Sequence, residues 1–154
     1  MEGHGTDSRA HRRSASAQHP QLTLVATTDE ATIHTPEALR VIPKPWGREV
    51  WWAVADRYVG KRIEVTAGHS LSLQYHELKH ETLYFLSGEV RLLLGDQERL
   101  VGPGSVAVVP PGTVHRVEAL TAAVIFEVST PELDDVVRLE DRYGRAPAAG
   151  APTS

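Results

Sequence analysis

Four residues on short apolar segments can supply metal ligands: Gln74, His76, Glu81 and His115. Three lie in Leu71-Ser72-Leu73-Gln74-Tyr75-His76-Glu77-Leu78-Lys79-His80-Glu81, and the fourth ends Pro110-Pro111-Gly112-Thr113-Val114-His115. Two imidazoles, a carboxylate and an amide oxygen suit Zn, Fe, Mn, Ni or Co and leave a position open for water or substrate. Residue types alone do not choose among these metals. A strand presents alternate residues on one face, so Ser72, Gln74, His76 and Leu78 share a face while the chain stays extended. A Gln and a His so spaced on an apolar strand need compensation, because unpaired buried polar groups are costly. Metal ligation supplies it; a hydrogen-bonded pair on a wet surface would be the bland alternative. Glu81 and His115, in matching contexts, weigh toward the metal. The Pro-Pro-Gly turn restricts the chain before His115 and lowers the entropy lost in forming a site.

A Lewis-acidic metal polarises a carbonyl or hydroxyl and stabilises an enediolate or enolate. Aldose–ketose isomerisation needs that, and so does aldol-type cyclisation of a poly-β-ketone. Both also need groups that move protons. Lys79, His80 and Tyr84 are the expected catalytic residues, with Glu77 a further candidate. A lysine serves as base only if burial or a metal's field depresses its pKa. Arg62 and Arg116 could hold a phosphate or carboxylate by bidentate contacts, although strict alternation after His115 sends Arg116 away from the metal. Trp46, Trp51, Trp52, Tyr75, Tyr84 and Phe85 could line an apolar pocket, and each would serve equally as a core or interface residue.

The 154 residues suffice for one domain with a real core. No cysteine is present, which excludes disulfides, thiolate ligands and a cysteine nucleophile. Sixteen basic against twenty acidic side chains leave a formal charge of −4, which argues against broad nucleic-acid binding. No apolar run reaches the roughly 18 residues of a membrane span, and no apolar stretch follows Arg9, Arg12 and Arg13 to make a secretory signal. A cytoplasmic protein with neither nucleic-acid nor membrane partner is expected. Residues 1–29 read as a flexible N-terminal arm, 30–142 as a single domain, and 143–154, rich in Ala, Gly and Pro, as a flexible tail.

Short apolar runs alternate with turn signals through the centre. The expected strands are Glu49–Val54, Val59–Thr66, Ser70–His76, Thr82–Leu86, Glu89–Leu94, Arg99–Val101, Ser105–Val109, Val114–Glu118 and Ala122–Val128. Strands at intervals of about 8–12 residues indicate a β-barrel or sandwich. Pro131–Tyr143 is the best helical segment, with Leu133, Val136, Val137 and Leu139 as a loose apolar stripe.

The stretch from Gly68 through His76 and Glu81 to Gly88, followed by Gly104–His115, resembles the two motifs of the cupin superfamily, over about residues 41–130. Lys44-Pro45-Trp46-Gly47, Lys61-Arg62-Ile63 and Leu71-Ser72-Leu73-Gln74 look like the carboxy-terminal domain of bifunctional mannose-6-phosphate isomerase/GDP-mannose pyrophosphorylases. Small stand-alone cupins of antibiotic pathways, including aromatic polyketide cyclases, are similar in size. The resemblance implies an all-β double-stranded β-helix, a jelly-roll barrel, to which the apolar stripe adds a short C-terminal helix. It implies a small-molecule substrate and a homodimer that covers apolar residues on the outer faces of strands. It also implies a sugar or sugar-phosphate isomerase-like reaction. The alternatives are a polyketide cyclase and a non-enzymatic small-molecule-binding cupin.

One position departs from the cupin pattern. The usual second histidine of the first motif is Leu78 here. Gln74 has the strand parity to replace it, and a Gln-His-Glu-His set resembles that of zinc-dependent phosphomannose isomerases, which ranks zinc first. His80 could instead swing in from the turn before Glu81, while His69, near a turn, reads as a surface histidine.

Overall fold

The computed structural model describes residues 31–147. The expected N-terminal arm and most of the expected tail lie outside the described residues. After a single 3-10 turn at Pro36–Ala38 the chain forms eleven strands among the described residues: β1 (Arg40–Lys44), β2 (Gly47–Val54), β3 (Val59–Val65), β4 (Leu73–Tyr75), β5 (Glu81–Ser87), β6 (Val90–Leu94), β7 (Gln97–Val101), β8 (Val106–Val109), β9 (His115–Ala119), β10 (Ala123–Ser129) and β11 (Val137–Glu140). They build two antiparallel sheets, in the orders β1-β2-β3-β10-β5-β8 and β11-β4-β9-β6-β7.

Two expectations are overturned. Neither sheet closes on itself, so the domain is two open sheets and not a closed jelly-roll barrel. The C-terminal helix is also missing. Within Pro131–Tyr143 the regular structure is β11, whose Val137 and Arg138 pair with Tyr75 and Gln74 of β4. The apolar stripe there was weak, and Val137-Arg138-Leu139-Glu140 alternates just as well with period 2. A free strand edge at β4 offered a ladder of hydrogen bonds, and tertiary pairing overrides a weak helical pattern. β1 was not anticipated, and regular pairing of the Ser70–His76 segment shrinks to Leu73–Tyr75 plus an isolated bridge from Ser70 to Glu118.

The inward residues of each long strand change character along its length, and this gradient positions the site. Along β10 they run Ala123, Ile125, Glu127; along β3, Val65, Ile63, Lys61; along β5, Phe85, Leu83, Glu81; along β9, Ala119, Val117, His115. One end of the space between the sheets is therefore a packed apolar plug, with Phe85, Val109 and Ile125 essentially sealed from solvent. Burying each such side chain stabilises by about 1.5–3 kcal/mol. The other end is polar and open. The Lys44-Pro45-Trp46-Gly47 turn joins β1 to β2 and drops Trp46 into the core. Gly47 is required there: its φ is +149°, and a Cβ would lie 2.0 Å from the Glu64 carbonyl oxygen.

Candidate metal centre

At the polar end, His76, Glu81 and His115 converge, all three buried, with one ligand atom of each within 4.8 Å of the others. His115 opens β9 and Glu81 opens β5, so the ladders of both sheets place them. His76 sits just past β4, in a loop fastened from outside. The Asp135 carboxylate accepts the backbone N–H groups of Glu77, Leu78 and Lys79 at 2.9, 2.7 and 2.7 Å. These bonds hold its carboxyl below the ordinary Asp range against the opposing effect of burial.

The ring orientations are set by backbone carbonyls. His76 Nδ1 bonds the carbonyl oxygen of Asp135, and His115 Nδ1 bonds that of Thr113 at 2.9 Å. A carbonyl oxygen only accepts, so each Nδ1 carries the proton and each Nε2 is left with a lone pair. Those Nε2 atoms face Glu81, at 3.5 Å for His76 and 3.1 Å for His115. His76 Nε2 is buried and takes part in no hydrogen bond among the described residues. Three electron-pair donors turned toward one buried point repel each other unless a cation lies between them. The histidine tautomers, the outer-shell carbonyls and the orphaned Nε2 all fit a divalent metal.

Glu81 arrives ready to ligate. Burial pushes its carboxyl up, but hydrogen bonds from the His115 and His76 rings whenever their Nε2 atoms are protonated, together with the Lys79 charge, overcome this and hold it well below the ordinary carboxylate range. Lys79 lies 2.7 Å from Glu81 and 3.3 Å from Glu127. Burial alone would lower its pKa, yet the Glu127 and Glu81 carboxylates more than reverse this and raise it. The condition for a resting lysine base is therefore not met, and Lys79 is a cation at neutral pH.

Residues 61–129 match the family described as Cupin domain. The chain carries a cupin domain. Its relatives are diverse. Mannose-1-phosphate guanylyltransferase ManC of Salmonella typhimurium is 34% identical over 111 residues, covering 69% of this chain and 23% of that protein. Xanthan biosynthesis protein XanB of Xanthomonas campestris pv. campestris (strain B100) is 33% identical over 125 residues, 78% of this chain and 26% of the other. The chain thus spans about a quarter of the length of these curated relatives. The solved structure of KdgF from Halomonas sp. shares the fold, with a TM-score of 0.61 at 18% identity over 68% of this chain and 97% of that one.

This cupin meets the missing histidine in a specific way. Leu78 is 70% exposed and does not line the cavity. Gln74 does line it, and its register partner across the sheet is His115, so the two share a face. Ser72 Oγ donates to Gln74 Oε1 at 2.6 Å, which orients the amide and leaves its oxygen a second lone pair. His80 and Tyr84 fall elsewhere. His80 is exposed, and Tyr84 stands 43% exposed on the outer face of the larger sheet. Arg62 and Arg116 also sit away from the cavity, paired with Glu64 and Glu140. His69 stacks on Tyr143, its Nδ1 hydrogen-bonded to the phenol oxygen at 2.8 Å.

The cupin's cavity, of about 400 Å³, contains charged residues that were not singled out from sequence. Glu127 and Glu49 alternate with lysines: Glu81–Lys79–Glu127–Lys61–Glu49–Lys44, with successive charges 2.7, 3.3, 3.8, 3.7 and 3.4 Å apart. Strand parity carried the signal. Glu127 falls on the same face as Ala123 and Ile125, and Lys61 on the same face as Ile63 and Val65. An inward charge on an otherwise apolar row marks a functional wall.

Proposed function

We propose that this cupin is a metal-dependent enzyme that moves a proton between adjacent carbons of a sugar or sugar phosphate, as an aldose–ketose isomerase does. The orphaned Nε2 of His76, turned with His115 Nε2 toward an anionic Glu81, carries the metal part of this reading. His76, Glu81 and His115 would hold the ion, with Gln74 as fourth ligand through its amide oxygen. Zinc is the first choice for that donor set. When bound, the metal would polarise a substrate carbonyl or hydroxyl.

The protein's own groups do the rest. Lys79 is protonated and lies between two carboxylates, so it can deliver a proton to a substrate oxygen. Glu127 is the nearest cavity carboxylate not needed as a ligand, and it can take a proton from carbon. The cycle balances when Glu127 returns its proton to the adjacent carbon and the neutral Lys79 takes a proton back from the second substrate oxygen. The strongly charged cavity suits a polyhydroxylated substrate. The sugar-nucleotide and polysaccharide names of the relatives point the same way. Of the six aromatic residues considered for an apolar pocket, only Trp46 and Trp51 line the cavity. Phe85 belongs to the core, and Trp52 and Tyr84 lie outside. This weakens the polyketide-cyclase alternative.

The test is to incubate metal-loaded protein with aldohexose and ketohexose 6-phosphates in D2O and follow deuterium entry at C1 and C2 by NMR. Exchange that disappears in Glu127→Gln supports the reading. Stoichiometric metal with no exchange on any hexose phosphate would reduce the protein to a binding cupin.

A further inference from the structure

We propose that Arg138 is the phosphate-binding residue of the cavity, holding the anionic end of a substrate whose reacting end lies at His76, Glu81 and His115. The inference rests on the sugar-phosphate reading above and adds where the phosphate goes. It starts from strand register. Arg138 of β11 pairs with Gln74 of β4, and Gln74 pairs with His115 of β9. Cross-strand partners share a face, and all three residues line the cavity. Two strand spacings put the Arg138 backbone about 10 Å from that of His115. A ligand with several bonds between its anion and its reacting carbon spans such a gap.

The charges around the cavity single this residue out. Lys44, Lys61 and Lys79 are each matched to Glu49, Glu127 or Glu81 within 3.8 Å. Arg145 also lines the cavity, but Asp141 occupies its guanidinium at 3.0 and 2.6 Å. Asp134, the remaining carboxylate of the wall, is exposed and forms no ion pair with Arg138. Among the described residues Arg138 has no carboxylate within 4.0 Å, and its Nε is buried without a hydrogen-bond acceptor. A buried guanidinium donor with nothing to donate to is unfavourable. Its planar fork matches phosphate oxygens two at a time. A ligand phosphate would supply what the protein withholds.

The experiment uses the full chain, metal-loaded and 15N-labelled, and reads the arginine Nε–H signals, with Arg138 assigned from the signal lost in Arg138→Lys. The probes are inorganic phosphate, a hexose 6-phosphate and the unphosphorylated hexose. The Arg138 signal should shift with both phosphates, and at lower concentration with the sugar phosphate, while the free hexose leaves it in place. Arg138→Gln should keep full metal stoichiometry and weaken hexose 6-phosphate binding about tenfold or more, because a charge-assisted bidentate contact is lost. An Arg138 signal that does not move while calorimetry registers phosphate binding would mean that phosphate sits elsewhere, on the metal included, and would overturn the assignment. Unchanged affinity in Arg138→Gln, or no phosphate binding to the wild type, would do the same. An Arg138 shift without any deuterium exchange would instead remove the isomerase reading and leave the anion site standing.

Discussion

One carboxylate, that of Asp135, takes three backbone N–H groups of the loop that carries His76, and removing it should weaken metal binding by a calculable amount. Asp135→Ala deletes three charge-assisted hydrogen bonds to the backbone N–H groups of Glu77, Leu78 and Lys79. Each is worth about 1.5–3 kcal/mol where water cannot substitute. Water can substitute at Glu77 and Leu78, which are exposed, so roughly one bond's worth remains, at the partly buried Lys79 N–H. The net loss is about 1.5–2 kcal/mol. The backbone carbonyl of residue 135 survives the substitution, so His76 keeps its Nδ1 partner. What changes is the order of the loop before metal arrives. If the metal must then supply that ordering free energy, its Kd rises by about 10- to 30-fold, within the range expected when outer-shell support is removed. Chelator competition with Zn2+ or Co2+ measures the affinity, and urea unfolding of metal-free protein measures the stability. A variant that loses the stability but binds metal as tightly as wild type would refute the coupling between this clamp and the site.

Four further outcomes follow from the same geometry. His115→Ala should lose most bound metal by elemental analysis, and Gln74→Ala should lower occupancy whereas His80→Ala, at an exposed position, should not; the opposite pattern would assign the fourth ligand to His80. Glu127→Gln should retain metal but destabilise by about 2 kcal/mol, below the usual cost of breaking a buried pair because Lys61 keeps Glu49 and Lys79 keeps Glu81, and it should slow proton exchange about 10²- to 10⁴-fold. The Asp141 carboxyl is pushed down to about 2 chiefly by its bond to Arg145. A depressed folded pKa gives stability that is present above the ordinary Asp value and lost as pH falls toward 2, so between pH 5 and pH 2 wild type should lose more stability than Asp141→Asn in urea titrations, and parallel curves would remove the contribution. A homodimer remains our proposal for covering Tyr84, Leu86, Val106, Val108 and Val128 on the outer face of the larger sheet, and sedimentation equilibrium showing a monomer at high concentration would end it.

Much of the site was legible because strands encode facing in parity. Gln74 and His76 sit two residues apart, and Gln74 does share its face with His115. Glu81 and His115 follow turns that begin strands, and both open β5 and β9. The same rule, applied to Ala123-Val124-Ile125-Phe126-Glu127, would have exposed Glu127. It would also have sent Tyr84 outward, three residues and thus odd parity from the inward Glu81. The Asp135 clamp was illegible for a different reason. It joins residues 56 to 58 positions apart, through a segment whose weak apolar stripe suggested helix. Arg138 was hidden with it, since its place on the cavity wall depends on β11 being a strand paired to β4. No hydropathy pattern closes a sheet or leaves it open; that depends on which edges find partners, and among the described residues the outer edges of β1, β8, β11 and β7 have no strand partner.

The alternating charges explain why the cavity can be both buried and reactive. A lone carboxylate at Glu81 would be forced toward its neutral form by desolvation. The Lys79 charge helps keep Glu81 ionised, and the chain of six carries no net formal charge, since three acids face three lysines. A divalent ion added at one end disturbs that balance. With Glu81 holding such an ion, that carboxylate's hold on Lys79 would weaken and Glu127 would become the principal partner of the lysine. In the proposed reaction the donor Lys79 would then be coupled chiefly to Glu127, the proposed acceptor. Substrate phosphate on Arg138 would neutralise the remaining cation of the wall, two strands away from the reacting groups. On this proposal metal and anion would be kept from neutralising each other directly, and a small sugar phosphate bridging them would be held at both ends.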